Sequence, residues 1–253
     1  MLIINADDFG KDKQTNLAIV ECFKKGLCSS TTLMPNMPFF EEACQLVREN
    51  KLLNHVGMHL VLTSGNPLTE EIKNYPHLFG VKAKRRSAIF VLDKKERRAL
   101  AEEIRAQIKR CKAFGMPLTH IDSHHSVHTN WAISTLLINI AKDENIPYIR
   151  IHPYVGFPGG SFRISSYALF FNFRLKIMSM ARTQYLCSLK NYLLLKQKKN
   201  LSVLNKSLEI IVHPGLNSKN TLIDVGNEDI DKGLEEMIIS IDNYKEASSF
   251  TGT

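Results

Sequence analysis

Six short apolar or β-branched runs recur along this chain: LIIN at 2–5, SSTTLM at 29–34, HVGMHLVL at 55–62, LTHID at 118–122, YIRI at 148–151 and LEIIVH at 208–213. Several are separated by stretches of helical period. In DKKERRALAEEIRAQIKRCKAFG (93–115), Leu100, Ile104, Ile108 and Cys111 fall on one face, with charges elsewhere, until Gly115 and Pro117 stop the helix. TNLAIVECFKKG (15–26) predicts a second helix, with Leu17, Val20 and Phe23 stacked on one side, and EEACQLVREN predicts a third. Strand and helix in alternation, with runs of this length, demand a parallel sheet with helices outside it. A barrel and a doubly wound sheet both satisfy that pattern. At 253 residues the chain has the size of one α/β barrel, so residues 1–253 are read as a single domain.

Two regions stand apart from the alternation. Residues 63–90, with Gly65, Pro67, Pro76, Gly80 and the basic cluster KAKRR, read as a long excursion of the kind that serves as a lid. Residues 152–207 read as a basic helical segment, and between Pro147 and Ser207 there are ten Lys or Arg and no Asp or Glu. That imbalance suits an anionic partner. The stretch 163–199 is apolar enough to raise membrane contact. Arg174, Lys176, Arg182 and Lys190 nevertheless interrupt every window of spanning length, and packing on the domain is the favoured reading over lying on a membrane surface. No helix-turn-helix, zinc-finger or RNP pattern occurs, which argues against a nucleic-acid partner. The five cysteines are scattered, without C-x-x-C spacing, and read as reduced core thiols. With no signal-peptide pattern after Met1, the expected location is cytoplasmic.

The histidines carry the chemistry. Four of nine lie in THIDSHHSVH (His120, His124, His125, His128), one in GMHL (His59) and one in IIVHPG (His213). Each of these stretches is, or ends, a predicted strand, as does NADDFG with its paired Asp7 and Asp8. Taken singly, each has a plainer reading: an Asp pair caps a turn, and a strand His is a hydrogen-bonded core residue. Their joint placement favours function, because functional groups in parallel α/β folds collect at the carboxyl ends of strands. Imidazole and carboxylate together suit a divalent cation, and two His with one Asp leave open positions for water and substrate. A second carboxylate beside the ligand can act as base and a separate His as acid.

NADDFG, GLCSSTTLMPN, GMHLVLTSGNPL, PLTHIDSHHSVH and EIIVHPG together resemble the YdjC-like family of carbohydrate deacetylases, which includes chitooligosaccharide deacetylases. The resemblance implies a distorted (β/α) barrel of polysaccharide-deacetylase-like type. It also implies one divalent ion, Mg2+ or Zn2+, bound by Asp8, His59 and His124, with Asp7 as base and His213 as general acid. Metal-bound water would attack the acetamide of an N-acetylated sugar, releasing acetate. Asn5, His120, Asp122, His125, His128 and Arg150 are then expected to orient ligands or touch substrate. A homodimer is a family-level expectation. Many family members carry a further His where this chain has Ser126. The rival readings are a phosphoesterase-like hydrolase, which would gather two cations, and a non-catalytic glycan- or anion-binding protein on the same scaffold.

Overall fold

The computed structural model describes residues 1–80, 91–152, 162–197 and 206–225. The first apolar run forms β1 (Leu2–Phe9), in which every residue but the first is buried, as befits a strand covered on both faces. Asp12 then caps α1 (Lys13–Lys24), its carboxylate accepting from the Thr15 backbone N–H at 2.8 Å. The chain continues through β2 (Ser30–Leu33), α2 (Phe40–Glu49), β3 (Val56–Leu60), α3 (Lys94–Ala113), β4 (His120–Ser123), α4 (Trp131–Asp143) and β5 (Tyr148–Ile149). After α5 (Phe162–Ile177) come β6 (Tyr185–Ser188), α6 (Leu189–Gln197) and β7 (Leu208–Val212), and a hairpin of β8 (Pro214–Leu216) and β9 (Leu222–Asp224).

The seven-stranded sheet is parallel throughout, in the order β5-β4-β3-β2-β1-β7-β6. Consecutive strands from β1 to β5 advance in one direction without reversal, which is barrel winding and decides against the doubly wound alternative. The sheet curls until its two edges meet at a single bridge, Tyr148 with Ala181, where the Ala181 N–H donates to the Pro147 carbonyl at 2.9 Å. The result is the distorted barrel expected.

The long amphipathic helix reads as its spacing predicts. A capping box of Asp93 and Glu96 starts α3, and Leu100, Ile104, Ile108 and Cys111 are all fully buried. Two polar side chains on the same face anchor the residues after β3. Gln107 brackets the Val61 backbone on both its N–H and C=O, and Glu103 accepts from the Leu68 and Thr69 N–H groups. The start of the 63–90 excursion is thus tied down at 61–69, while 81–90 falls outside the described residues. The face predicted for α1 is rotated: Ala18, Ile19, Val20 and Cys22 are buried, whereas Leu17 is 46% exposed. The segment 152–207 is not wholly helical, since its described part includes β6, which pairs with β7. All five cysteines are free and buried, and no described helix is long and apolar enough to cross a membrane.

One close approach inside the sheet is conditional on glycine. A Cβ on Gly57 would lie 2.4 to 2.6 Å from the His120 ring, which is fully buried and bonded to Thr119 Oγ1 at 2.8 Å. Gly57→Ala is expected to destabilise the fold by about 1–3 kcal/mol in urea unfolding. Adding His120→Ala should recover part of that loss, a coupling that a double-mutant cycle measures.

Candidate active site

Adjacent residues of a strand normally face opposite ways, so NADDFG on a regular strand would send only one carboxylate into a cavity. The β1–β2 register slips between Ala6 and Phe9, and within the slip Asp8 adopts a left-handed backbone with φ 74°. Both Asp7 and Asp8 consequently line one cavity of about 520 Å³ at the carboxyl ends of the strands. Such a conformation costs a non-glycine residue about 1 kcal/mol or more and must be held by its surroundings. The Lys11 N–H donates to the Asp8 carbonyl at 3.1 Å, and the Gly10 N–H donates to Asn16 Oδ1 at 2.7 Å.

Asp8 Oδ1 lies 3.3 Å from His59 Nε2 and 3.1 Å from His124 Nδ1, with all three atoms within 4.8 Å of one another. Ligand bonds of about 2.1 Å place neighbouring donors roughly 3 to 3.5 Å apart, so this trio suits a single divalent cation. The other ring nitrogen of His59 supports the same assignment: its Nδ1–H donates to Asp122 Oδ1 at 2.6 Å, which fixes the tautomer with Nε2 toward Asp8. Thr32 Oγ1 steadies Asp122 from the far side at 3.1 Å. The Lys11 ammonium sits 3.1 Å from the second Asp8 oxygen. Burial alone would raise the Asp8 carboxyl, but hydrogen bonds from His124 and His59 hold it far below the usual range. Burial opposes charge on His59, yet the Asp122 and Asp8 carboxylates lift its pKa to about 10.

Asp7 has a different partner. Arg150 grips it bidentately, from Nη1 to Oδ2 at 2.8 Å and from Nη2 to Oδ1 at 2.7 Å. The same guanidinium reaches Asp122 Oδ2 at 2.6 Å and, through Nε, Glu209 Oε1 at 2.7 Å, while the Tyr148 hydroxyl donates to the other Glu209 oxygen at 2.8 Å. Burial pushes Asp7 up, and Arg150 more than reverses this, keeping it ionised well below the normal carboxylate range. Asn5 Nδ2 donates to Asp7 Oδ1 at 2.7 Å and so belongs to this cluster.

The THIDSHHSVH histidines divide by role. A short 3-10 segment, His124–Thr129, follows β4, and His125 and Ser126 within it are both left-handed, with φ 55° and 53°. Thr63 Oγ1 meets His125 Nδ1 at 2.8 Å, and the Thr129 hydroxyl donates to the Ser126 carbonyl, also at 2.8 Å. This backbone brings His124, His125 and Ser126 to the cavity wall. His120 and His128 do not reach it. His120 lies under the site beside Asn5 Oδ1 at 3.3 Å, and His128 is braced by Ser123 Oγ at 2.6 Å and the Arg150 carbonyl at 3.1 Å. Burial holds His120 neutral and depresses His128 to about 3, so both act as uncharged supports. His213 stands at the cavity with a side chain 42% exposed, its N–H donating to Asp224 Oδ1 at 2.8 Å and its Nδ1 3.9 Å from the same oxygen. Sequence reading passed over Thr32, Thr63, Glu209 and Asp224. A lone Glu209 within LEIIV, a charge inside an apolar strand, was the one signal available for that set.

Comparison with known proteins identifies the family. The family model described as YdjC-like protein matches residues 1–251. The chain belongs to the YdjC-like family. It is 35% identical over 267 residues to a carbohydrate deacetylase of Clostridium beijerinckii, an alignment covering 97% of this chain and 99% of the relative. A chitooligosaccharide deacetylase of Yersinia enterocolitica is 39% identical over 150 residues, 58% of each chain. Among solved structures, an Enterococcus faecalis V583 protein assigned to cellobiose-phosphate cleavage superposes with a TM-score of 0.67 at 22% identity, covering 97% of this chain and 92% of that one. At that identity the likeness speaks for the fold. Within the YdjC-like frame, Ser126 in place of a further His leaves the trio intact, because His124 is the imidazole that faces Asp8.

Two outcomes follow from the cluster. Without a cation the His59 imidazole is protonated below about pH 10, and that proton must leave before Nε2 can bind one. Affinity for Zn2+ is therefore expected to rise about tenfold per pH unit across the neutral range, with close to one proton released per ion by titration calorimetry in buffers of differing ionisation enthalpy. Arg150→Met would strand three buried carboxylates and should cost about 3–5 kcal/mol in chemical unfolding.

Proposed function

We propose that this protein is a metal-dependent carbohydrate deacetylase that removes the N-acetyl group from N-acetylated amino sugars of the chitooligosaccharide kind. The observation that carries the reading is the convergence of Asp8, His59 and His124 on one point beside an Arg-clamped Asp7, in a chain aligned almost end to end with a carbohydrate deacetylase.

Asp8, His59 and His124 would hold the ion. When bound, such a cation polarises the acetamide carbonyl and eases deprotonation of water. Asp7 stays ionised throughout the neutral range and accepts a proton from the attacking water, while Arg150 fixes both of its oxygens in direction. His213, whose backbone N–H is held by Asp224 and whose imidazole faces the cavity, donates a proton to the sugar nitrogen as it departs. His125, pinned by Thr63, stands on the wall to meet the sugar. Acetate and a free amino sugar result.

The two-cation phosphoesterase alternative is disfavoured by a specific contact. A second cluster, Asp7, His59 and Asp122, has donor atoms close enough for an ion, but the Arg150 guanidinium already lies between Asp7 and Asp122, 2.7 and 2.6 Å from their oxygens. A second cation there would have to expel it.

The test is acetate release from N-acetylglucosamine oligomers, before and after chelation. Chelation should abolish turnover and a divalent ion should restore it. Asp7→Asn is expected to keep the ion while losing most of kcat, and Asp8→Asn to lose both. Turnover that survives chelation, or steep salt-dependent glycan binding with no acetate, would refute the assignment.

A further inference from the structure

We propose that α5 and the start of α4 form a docking face for an anionic lipid surface. The helix buries Ala168, Phe171, Asn172 and Leu175 against the domain and turns Leu169, Phe170, Phe173 and Ile177 outward, 55%, 51%, 56% and 64% exposed. These positions fall at i, i+1, i+4 and i+8, one stripe along the helix. Four of the nine large exposed apolar side chains among the described residues therefore share a single face. Trp131, at the first position of α4, widens the stripe by stacking on Phe170, with ring centroids 5.4 Å apart and planes 25° from parallel. Apolar groups gathered in this way mark a surface that meets something other than water.

Charge chooses the occupant. The ten Lys and Arg between Pro147 and Ser207 come with no acid, and subtracting them leaves 23 basic against 25 acidic residues in the rest of the chain, so the whole positive excess resides in this segment. Of its described residues only Arg150 reaches the active-site cavity, and Arg150 is spent on three carboxylates. Among the described residues, the segment's other cations therefore lie away from the cavity. On the stripe itself Lys176 is exposed, and Arg174 lies 4.5 Å over the Trp131 ring with Nη1 donating to Ser134 Oγ. The sequence from Ser123 to Lys142 is free of acid too, and Asp143, which follows it, is already paired with Arg105. A second copy would set Arg174 and Lys176 against their own images, whereas a nucleic acid offers nothing to four protruding hydrocarbon side chains. A bilayer of acidic phospholipid satisfies both halves: aromatic and aliphatic groups enter the headgroup boundary, and Lys and Arg face phosphate. Because α5 also braces the segment that carries His124, through the Tyr167 hydroxyl on the Thr129 carbonyl, the face and the cavity share one wall.

The experiment is co-sedimentation of the full chain with vesicles of phosphatidylcholine alone and of phosphatidylcholine mixed with phosphatidylglycerol. Emission of Trp131, the only tryptophan, is recorded alongside. Binding is expected to the mixed vesicles only, with a blue shift of Trp131, and to weaken as salt is raised. Phe170→Ser with Phe173→Ser should weaken partition at least about tenfold, and Lys176→Glu should weaken it separately. Acetate release from soluble oligosaccharide should stay unchanged in both variants, which also shows that they fold. Three results would overturn the proposal: no vesicle binding, equal binding to neutral and acidic vesicles, or a wild-type dimer in light scattering that the Phe variants dissociate.

Discussion

The centre of this protein is one buried guanidinium. Arg150 extends from the end of β5 and touches carboxylates contributed by β1, β4 and β7, so strands far apart in sequence are tied through a single side chain. Burying three acids is costly unless each finds a cation or a donor, and a planar fork with five N–H groups can serve all of them at once where an ammonium could not. The consequence for chemistry is indirect. Asp122, held by Arg150, in turn holds His59; Asp7, held by Arg150, stays ionised beside Asp8. The candidate metal-binding trio and the adjacent carboxylate are oriented by the same hub.

Much of this was legible in the letters. The periodicity of α3 and the mainly apolar runs of β1, β3 and β7 report burial directly, because a strand covered on both faces is mostly apolar and a surface helix is not. Strand-end placement then brought Asp7, Asp8, His59, His124 and His213 into one cavity, as the alternation required. What stayed hidden depends on partners distant in sequence. Glu209 stands out locally as a lone charge in an apolar strand, but what it is for becomes visible only with Tyr148 and Arg150 around it. β6 was masked by a segment whose aromatic and leucine content reads as helix throughout, and the pairing that makes it a strand comes from β7. The rotated face of α1 is likewise set by tertiary packing: Leu17 has the spacing of a core residue, but the buried face runs through Ala18, Ile19 and Cys22.

The four histidines of THIDSHHSVH show how density can mislead. They crowd into nine positions, yet two are uncharged structural props and two reach the cavity. The division is made by backbone, since the left-handed pair His125 and Ser126 turns the chain between the last strand residue and His128. A regular helix there would have spread these side chains around an axis.

The left-handed residue in β1 has a wider consequence. Letters such as N-A-D-D-F-G could be copied into another parallel barrel without copying the paired carboxylates of the cavity, because an unbroken host strand would aim one carboxylate inward and the other at the covering helices. Transplanting this centre therefore means importing the dislocation in the strand together with the neighbours that brace it. A designer who kept the six residues and idealised the backbone would obtain half a site.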